Sequence, residues 1–406
     1  MKPVFDIVIV GGGLSGLALA EQLAAPEFSH LKVLVLESRV EYVHDRTWSY
    51  WRTHDSPHAH LERQRWTQWR VSGNGKGCTV HGALSAGQAQ YCTVEAGAFY
   101  RHVLLAIGKC QHVQLMLGTP VHEIRDAQAE VPGRVGTPSV LTAKGQRISA
   151  QWVFDARPPL APAVPVAPPS NNLVQQFVGW EVHTQTDVFD TDCVHLMDFV
   201  PCNQGLHFFY VLPYSPRNAL VESTWVSPAS HRPDYRQELN RYLARCFGVT
   251  AFETPYQEHG VLALQHRPPP PGRSVRTLGR GAGTLRPATG YAYLDTLAHS
   301  RAIAESLGRH PRGAPLALWQ PPSFKRSPLD NWMDKVFLRV LQNDWQQAVD
   351  YFLQMFSRTD SKTLVAFLSG QASLAQRLKV ARVLPAMPFI RSALAGVVDL
   401  GRGLQK

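Results

Sequence analysis

Residues 7–16 read IVIVGGGLSG, and that run constrains the fold more than any other stretch of the 406 residues. Asp6 to Val10 reads as a buried strand that stops at Gly11. A helical pattern follows, with Leu17, Leu19, Ala20, Leu23 and Ala24 forming one apolar face. Lys32 to Leu36 is a second strand and ends at Glu37. Strand, helix and strand in this order begin a parallel sheet. Gly11, Gly13 and Gly16 supply GxGxxG: a tight turn, room for the backbone to approach a pyrophosphate, and close packing of helix on strand. Leu14 and Ser15 lie where the helix opens, and its free N–H groups and positive dipole end suit phosphates. Glu37 is placed to accept from a ribose hydroxyl pair. The reading is a dinucleotide site, and this motif alone does not separate FAD from NAD.

A second Gly-rich stretch, Gly279 to Gly283 followed by PATGY from Pro287 to Tyr291, favours FAD. Such a late loop closes the site, with Gly283, Pro287, Thr289 and Gly290 offering backbone to flavin and pyrophosphate. The expected architecture is α/β: a Rossmann-type FAD-binding domain with an inserted antiparallel-sheet substrate domain and a helical C-terminal region. Residues 1–157 form the first part of the FAD domain, and a Pro-rich break from Pro158 to Pro169 marks the crossing. Residues 158–272 form the inserted sheet, with Phe208 to Leu212 and Ala219 to Trp225 its clearest strands. Residues 273–300 complete the FAD domain, and 301–406 are mostly helical.

With 41 basic against 31 acidic residues the net charge is +10, which favours anionic partners. The basic residues are dispersed rather than run together, so nucleic acid ranks last. Six cysteines without a CxxC pair suggest reduced thiols, and no metal site is expected. No leader resembling a signal peptide and no apolar span of ~18 residues is evident, so the expected setting is the cytoplasm with at most peripheral membrane contact.

Three further features carry chemistry. In Asp45-Arg46-Thr47-Trp48, followed by Tyr50 and Trp51, Arg46 suits a phosphate or carboxylate and the aromatics suit a flat apolar ligand; simple packing explains them equally well. In LVESTW, 220–225, strand alternation puts Leu220, Glu222 and Thr224 on one face and Val221, Ser223 and Trp225 on the other. A buried Glu222 would stay protonated and serve as a general acid, whereas a solvent-facing one would be an ordinary surface carboxylate. Asp198 in LMDF is a weaker candidate of the same kind. Finally, Val383 to Leu400 is an apolar stretch with few charges, preceded by Arg382 and containing Arg391, fit either to lie on an anionic membrane or to pack on the core.

At these residues the chain resembles the bacterial lycopene cyclases, the flavoprotein family that closes the end rings of linear carotenes. The matching pieces include IVIVGGGLSGLALA, LESR with DRTWSYW, VFDAR at 153–157, QFVGWEV at 176–182, FFYVLPYSPRNALVEST at 208–224, PATGY, and FLSGQASL at 367–374. The resemblance implies that Glu222 is the catalytic acid, that lycopene is the substrate, that FAD acts in reduced form, and that NAD(P)H is its reductant. Its departures are Ser223, where the family often carries a second acid, and Arg280 and Arg286 in the late loop, where flavoproteins commonly show Asp. The rival readings are a flavin monooxygenase, a carotenoid reductase or desaturase, and a non-catalytic prenyl-lipid binder.

Overall fold

The computed structural model describes residues 4–52, 58–82, 89–127, 129–131, 134–159, 173–265 and 268–403. Most of the Pro158–Pro169 break therefore lies outside the described residues. The first strand, Phe5–Val10, sits in a parallel sheet ordered Val113–Met116, Val33–Leu36, Phe5–Val10, Arg147–Asp155, Val275–Thr277. Its apolar run has a simple cause. Ile7 and Ile9 pack into a core with Leu17, Phe99, Ile303 and Leu307 from three helices, while Val8 and Val10 pack with Val140 and Ile148 on the opposite face. A strand covered on both sides has no polar alternation to show.

The three helices are Leu14–Leu23, Ala96–Gly108 and Tyr293–Gly308. Between the first two, Glu21 bonds both His58 (3.1 Å) and His102 (2.8 Å), a cluster that ties helix to helix through its own hydrogen bonds. The Arg147–Asp155 strand is shared. Its end runs parallel to the first strand, and its beginning pairs antiparallel with Ser139–Thr142, which pairs in turn with Val121–Arg125.

A second sheet of seven strands is ordered Glu253–Ala263, Leu173–His183, Asn218–Pro228, Leu206–Ser215, Cys193–Val200, Gln68–Gly73, Lys76–His81. One face packs on the helix Tyr235–Phe247, which begins at an Asp234 cap and ends at Gly248 with φ 67°. The other face is covered by the C-terminal helices Pro328–Asn343, Trp345–Arg358 and Ser361–Leu368, through Val71, Leu196, Phe199, Leu338, Leu341 and Leu353. The helices Leu374–Val383 and Ala386–Gly403 follow. Glu222 and its neighbours lie on the central strands of this sheet.

Two boundaries differ from those expected. Gln68–His81, inside the segment assigned to the FAD domain, forms an edge hairpin of the second sheet, because Gln68–Gly73 pairs parallel with Cys193–Val200. The helix running to Gly308 crosses the expected limit at 300/301, because Ile303, Ala304 and Leu307 are buried in the first core. Pairing partners and buried faces set these limits, and neither is local in sequence.

Candidate functional site: a dinucleotide cleft continuous with a carboxyl pair

Gly11 has φ 99°, a conformation open to glycine and strained for other residues. A Cβ on Gly16 would overlap the Gly11 carbonyl oxygen, whereas one on Gly13 would meet nothing within 4 Å. Gly16 is thus the packing glycine, and Gly13 faces open space. Gly13 caps the Leu14–Leu23 helix without a side-chain hydrogen bond, leaving first-turn N–H groups for an anionic ligand.

Glu37 is buried and fully engaged. Its Oε2 accepts from Gly12 N–H (2.6 Å) and Arg39 Nη2 (3.1 Å), and its Oε1 accepts from Arg39 N–H (2.8 Å) and Ser38 Oγ (3.1 Å). Burial alone would raise its pKa, but the Arg39 hydrogen bonds and charge outweigh it and hold the carboxyl below its usual range. The side chain fixes the glycine loop and borders the cavity. Arg39, to which the sequence reading gave no role, also donates to Gly12 O (3.0 Å), Asp45 (3.2 Å) and Tyr100 (3.2 Å).

The late loop approaches the first one. A Cβ on Gly279, at φ 56°, would lie 2.6 Å from Ser15 Oγ. Pro287, Thr289 and Gly290 line the same cavity as Gly11, Gly13, Leu14, Ser15, Glu37 and Arg46. Gly283 does not. It packs against Pro268 and lines a separate small cavity of about 150 Å³.

The two unexpected arginines have different roles. Arg286 borders the cavity but is engaged by the protein itself, pairing with Asp334 at 3.3 Å and donating to the Phe367 and Leu368 carbonyls, so it ties the loop to the C-terminal helices. Arg280 lines the cavity, donates to Val261 O (3.2 Å), and meets no carboxylate within pairing distance among the described residues. Burial, with the Arg46 charge added, disfavours its cationic form. Free helical N–H groups, exposed glycine backbone and two arginines on one wall fit a dinucleotide phosphate.

Glu222 lies farther along the same cavity, which totals about 810 Å³. In register across three strands stand Glu222, Gly179 and Glu258. Because Gly179 has no side chain, the two glutamates meet above it; a Cβ there would come within 2.8 Å of Glu222 Cγ and 3.2 Å of Glu258 Cγ. Glu258 is 4% exposed and accepts a 2.6 Å bond from Tyr256. The Glu222 pKa is pushed well up, first by burial, then by the charge of Glu258 and its hydrogen bond. Tyr210 and Tyr91 share a 2.9 Å hydrogen bond beside the pair, and Tyr291 joins them at 3.3 Å. Burial raises all three phenols, Tyr291 to about 12, so this wall stays neutral. Toward the C-terminal helices the lining turns apolar, with Leu338, Phe352, Met355, Phe356 and Phe389.

Alternation on the 218–228 strand follows the expected pattern. Thr224 lines the cavity with Glu222, while Ser223 faces the other way and bonds His207 (3.0 Å) and Glu238 (2.5 Å). The acid beside Glu222 thus comes from another strand, not from the adjacent residue. Asp198 lies off the cavity, accepting from Ser72 Oγ (2.7 Å) and Tyr242 (2.9 Å), and its work is structural. Glu258, Gly179 and Arg280 were given no role in the sequence reading. For the first two, the missing signal was strand register.

The sheet order and the glycine loop define the class: a Rossmann-type fold of the FAD-binding kind. Among solved structures, the chain is similar to a geranylgeranyl bacteriochlorophyll reductase-like protein from Thermoplasma acidophilum, with TM-score 0.61 and 14% identity over 95% of this chain and 98% of that one. It is also similar to a probable FAD-dependent monooxygenase from Pseudomonas aeruginosa, with TM-score 0.52 and 14% identity over 90% and 99%. Residues 6–394 match the model of the lycopene cyclase protein family, and the chain belongs to that family. One relative is a lycopene beta-cyclase of Paracoccus sp. (strain N81106 / MBIC 01143), 25% identical and aligned over 95% of each chain.

Proposed function

We propose that the protein cyclises the acyclic ψ-ends of lycopene to β-rings by an acid-initiated reaction with no net redox change. The observation that carries this reading is the Glu222 carboxyl. It lines a largely apolar cavity that opens into the dinucleotide cleft, where desolvation and the neighbouring Glu258 raise its pKa and favour the acid form. A ψ-end has no polar handle, so reaction must begin by protonating its terminal double bond. The Glu222 O–H bond breaks and a C–H bond forms, leaving a tertiary cation. The neighbouring alkene closes the ring on that cation, and a ring proton leaves to restore the acid. Phe352, Phe356 and Phe389 exclude water that would otherwise capture the cation.

FAD would be held by Gly11, Gly13, Ser15, Glu37, Arg46, Arg280 and the 287–290 loop. When bound in reduced, anionic form it would supply negative charge against the developing cation. NAD(P)H would serve to reduce it and take no part in cyclisation.

Substrate entry from a bilayer is supported by exposed apolar side chains beside the apolar end of the cavity. Trp332, Met387, Ile390 and Leu394 are 49%, 58%, 49% and 63% exposed, while Met333, Ala386, Phe389 and Ala393 of the same helices line the cavity. Among the described residues no helix is long and apolar enough to cross a membrane, so docking would be peripheral at the cytoplasmic face.

The test is expression in lycopene-producing bacteria with chromatographic pigment analysis. A cyclised product of unchanged mass is expected from the native chain. Glu222→Gln should lose at least about 100-fold in cyclisation while retaining flavin. Oxygen uptake coupled to NAD(P)H oxidation with a heavier product would instead select the monooxygenase reading.

A further inference from the structure

Cyclisation through Glu222 needs an acid that stays protonated at neutral pH and becomes a base within the same turnover. Burial alone answers the first demand and opposes the second, since a lone buried carboxylate is costly. Three neighbouring strands supply more than burial. Glu222 of Asn218–Pro228 and Glu258 of Glu253–Ala263 both register on Gly179 of Leu173–His183. Their side chains reach toward one another over the one position where a Cβ would obstruct both. Tyr256 fixes Glu258 by a 2.6 Å hydrogen bond, and both carboxyls line the cavity.

We propose that Glu258 is the positioning partner of Glu222: the two carboxyls hold one proton between them above Gly179, and Glu258 keeps Glu222 in its acid form until substrate arrives. This inference rests on the cyclase reading.

Two carboxyls in contact do not both ionise, so the resting pair carries one proton and one negative charge. After Glu222 gives its proton to the alkene, the new cation faces two carboxylates. Their combined charge stabilises it electrostatically in a cavity of low polarity. Return of the ring proton then restores the pair, so protons balance and nothing is oxidised or reduced. Glu258 exchanges no proton with the reacting carbon: it holds Glu222 in place and adds its charge to the pair. It fills the role that a second acid adjacent in sequence would be expected to fill, a position taken here by Ser223, which faces the Tyr235–Phe247 helix on the opposite side of the sheet.

Other titratable and charged groups face the pair from every side. Tyr256 shares the strand of Glu258, Tyr210 and Tyr214 come from Leu206–Ser215, and the Arg63–Glu181 ion pair lies along the sheet. Arg46, Arg280, His259 and the Asp334 paired with Arg286 complete the cavity wall. The contact with Glu258 distinguishes Glu222 from these groups and makes the assignment testable.

The experiment uses the flavin-loaded chain and compares wild type, Glu258→Gln, Glu258→Asp and Glu222→Gln. Infrared titration without substrate should show a protonated carboxyl band that is absent in Glu222→Gln. In Glu258→Gln the band should disappear at lower pH. The alkaline limb of lycopene cyclisation in Glu258→Gln should move down by at least about one pH unit, a tenfold loss on that side. Glu258→Asp should restore much of it. An unmoved pH limb and band in Glu258→Gln with flavin retained would overturn the proposal. Failure of wild type to cyclise lycopene would refute the cyclase reading alone, because the infrared titration tests the pair without turnover.

Discussion

Ser223 donates a 2.5 Å hydrogen bond to Glu238, on the face of its strand opposite to Glu222. Trp225 Nε1 reaches the same oxygen at 3.2 Å, so this contact seals the sheet against the Tyr235–Phe247 helix. The expected outcome for Ser223→Ala is a loss of about 1.5–3 kcal/mol in stability, since a part-buried hydrogen bond to a carboxylate is removed. Cyclisation per folded, flavin-loaded molecule should not change. Chemical denaturation alongside pigment assays measures both, and a selective loss of turnover would give Ser223 a role in the chemistry.

Gly179→Ala tests the close approach beneath the two glutamates. The added methyl would come within 2.8 Å of Glu222 Cγ. Overpacking of this kind costs about 1–3 kcal/mol, and relief would come by turning a carboxyl out of place. Cyclisation should fall more than about tenfold, the factor for 1.4 kcal/mol, while flavin absorbance of the purified protein stays near that of the native chain.

Stability should carry the signature of Glu222. Its folded pKa lies above the ordinary value of 4.5, so between those two values the native state binds more protons than the unfolded chain. Stability from this group is therefore full below about 4.5 and declines as pH rises toward the folded pKa. Glu222→Gln removes that decline. Melting temperatures of the two proteins should diverge in favour of the variant with rising pH, and parallel curves would contradict the buried acid.

Arg280 supplies a cavity-facing cation without a carboxylate partner among the described residues. Arg280→Ala should weaken FAD binding by at least about tenfold, the lower end expected for a charge-assisted hydrogen bond. Fluorimetric flavin titration of the apoprotein measures this. Arg286→Ala should act differently. It strips Asp334 of its buried partner, so the expected result is global destabilisation of about 3–5 kcal/mol.

Met387, Ile390 and Leu394 recur at helical spacing, and all three are exposed. Changing Ile390 and Leu394 to Asp should lower flotation with anionic vesicles more than tenfold, since each apolar side chain entering lipid contributes about 1.5–3 kcal/mol. Flavin content should be unaffected. Equal flotation of both proteins would exclude this surface as the docking face.

The glycine loop was legible because every constraint on it is local. A strand, a turn at positive φ and a helix start within about ten residues require those glycines wherever the chain goes. Glu37 was legible for the same reason, at the end of the next strand. Alternation also placed Glu222 and Ser223 on opposite faces correctly, since period two is a property of the strand itself.

Gly283 shows where local reading ended. It has a turn glycine's backbone, but packing on Pro268 takes it out of the cavity. Asp198 shows the same limit, since its alternation resembles that of Glu222 while Ser72 and Tyr242 absorb its oxygens. Sequence by itself determined a dinucleotide loop, a late closing loop and one acid on an inward-facing strand position. Tertiary structure alone decided that Gln68–His81 joins the second sheet, that Arg286 is a core clamp, and that Glu258 meets Glu222. Those outcomes depend on strand register and on partners far apart in the chain, and neither spacing nor composition encodes which strands will lie side by side.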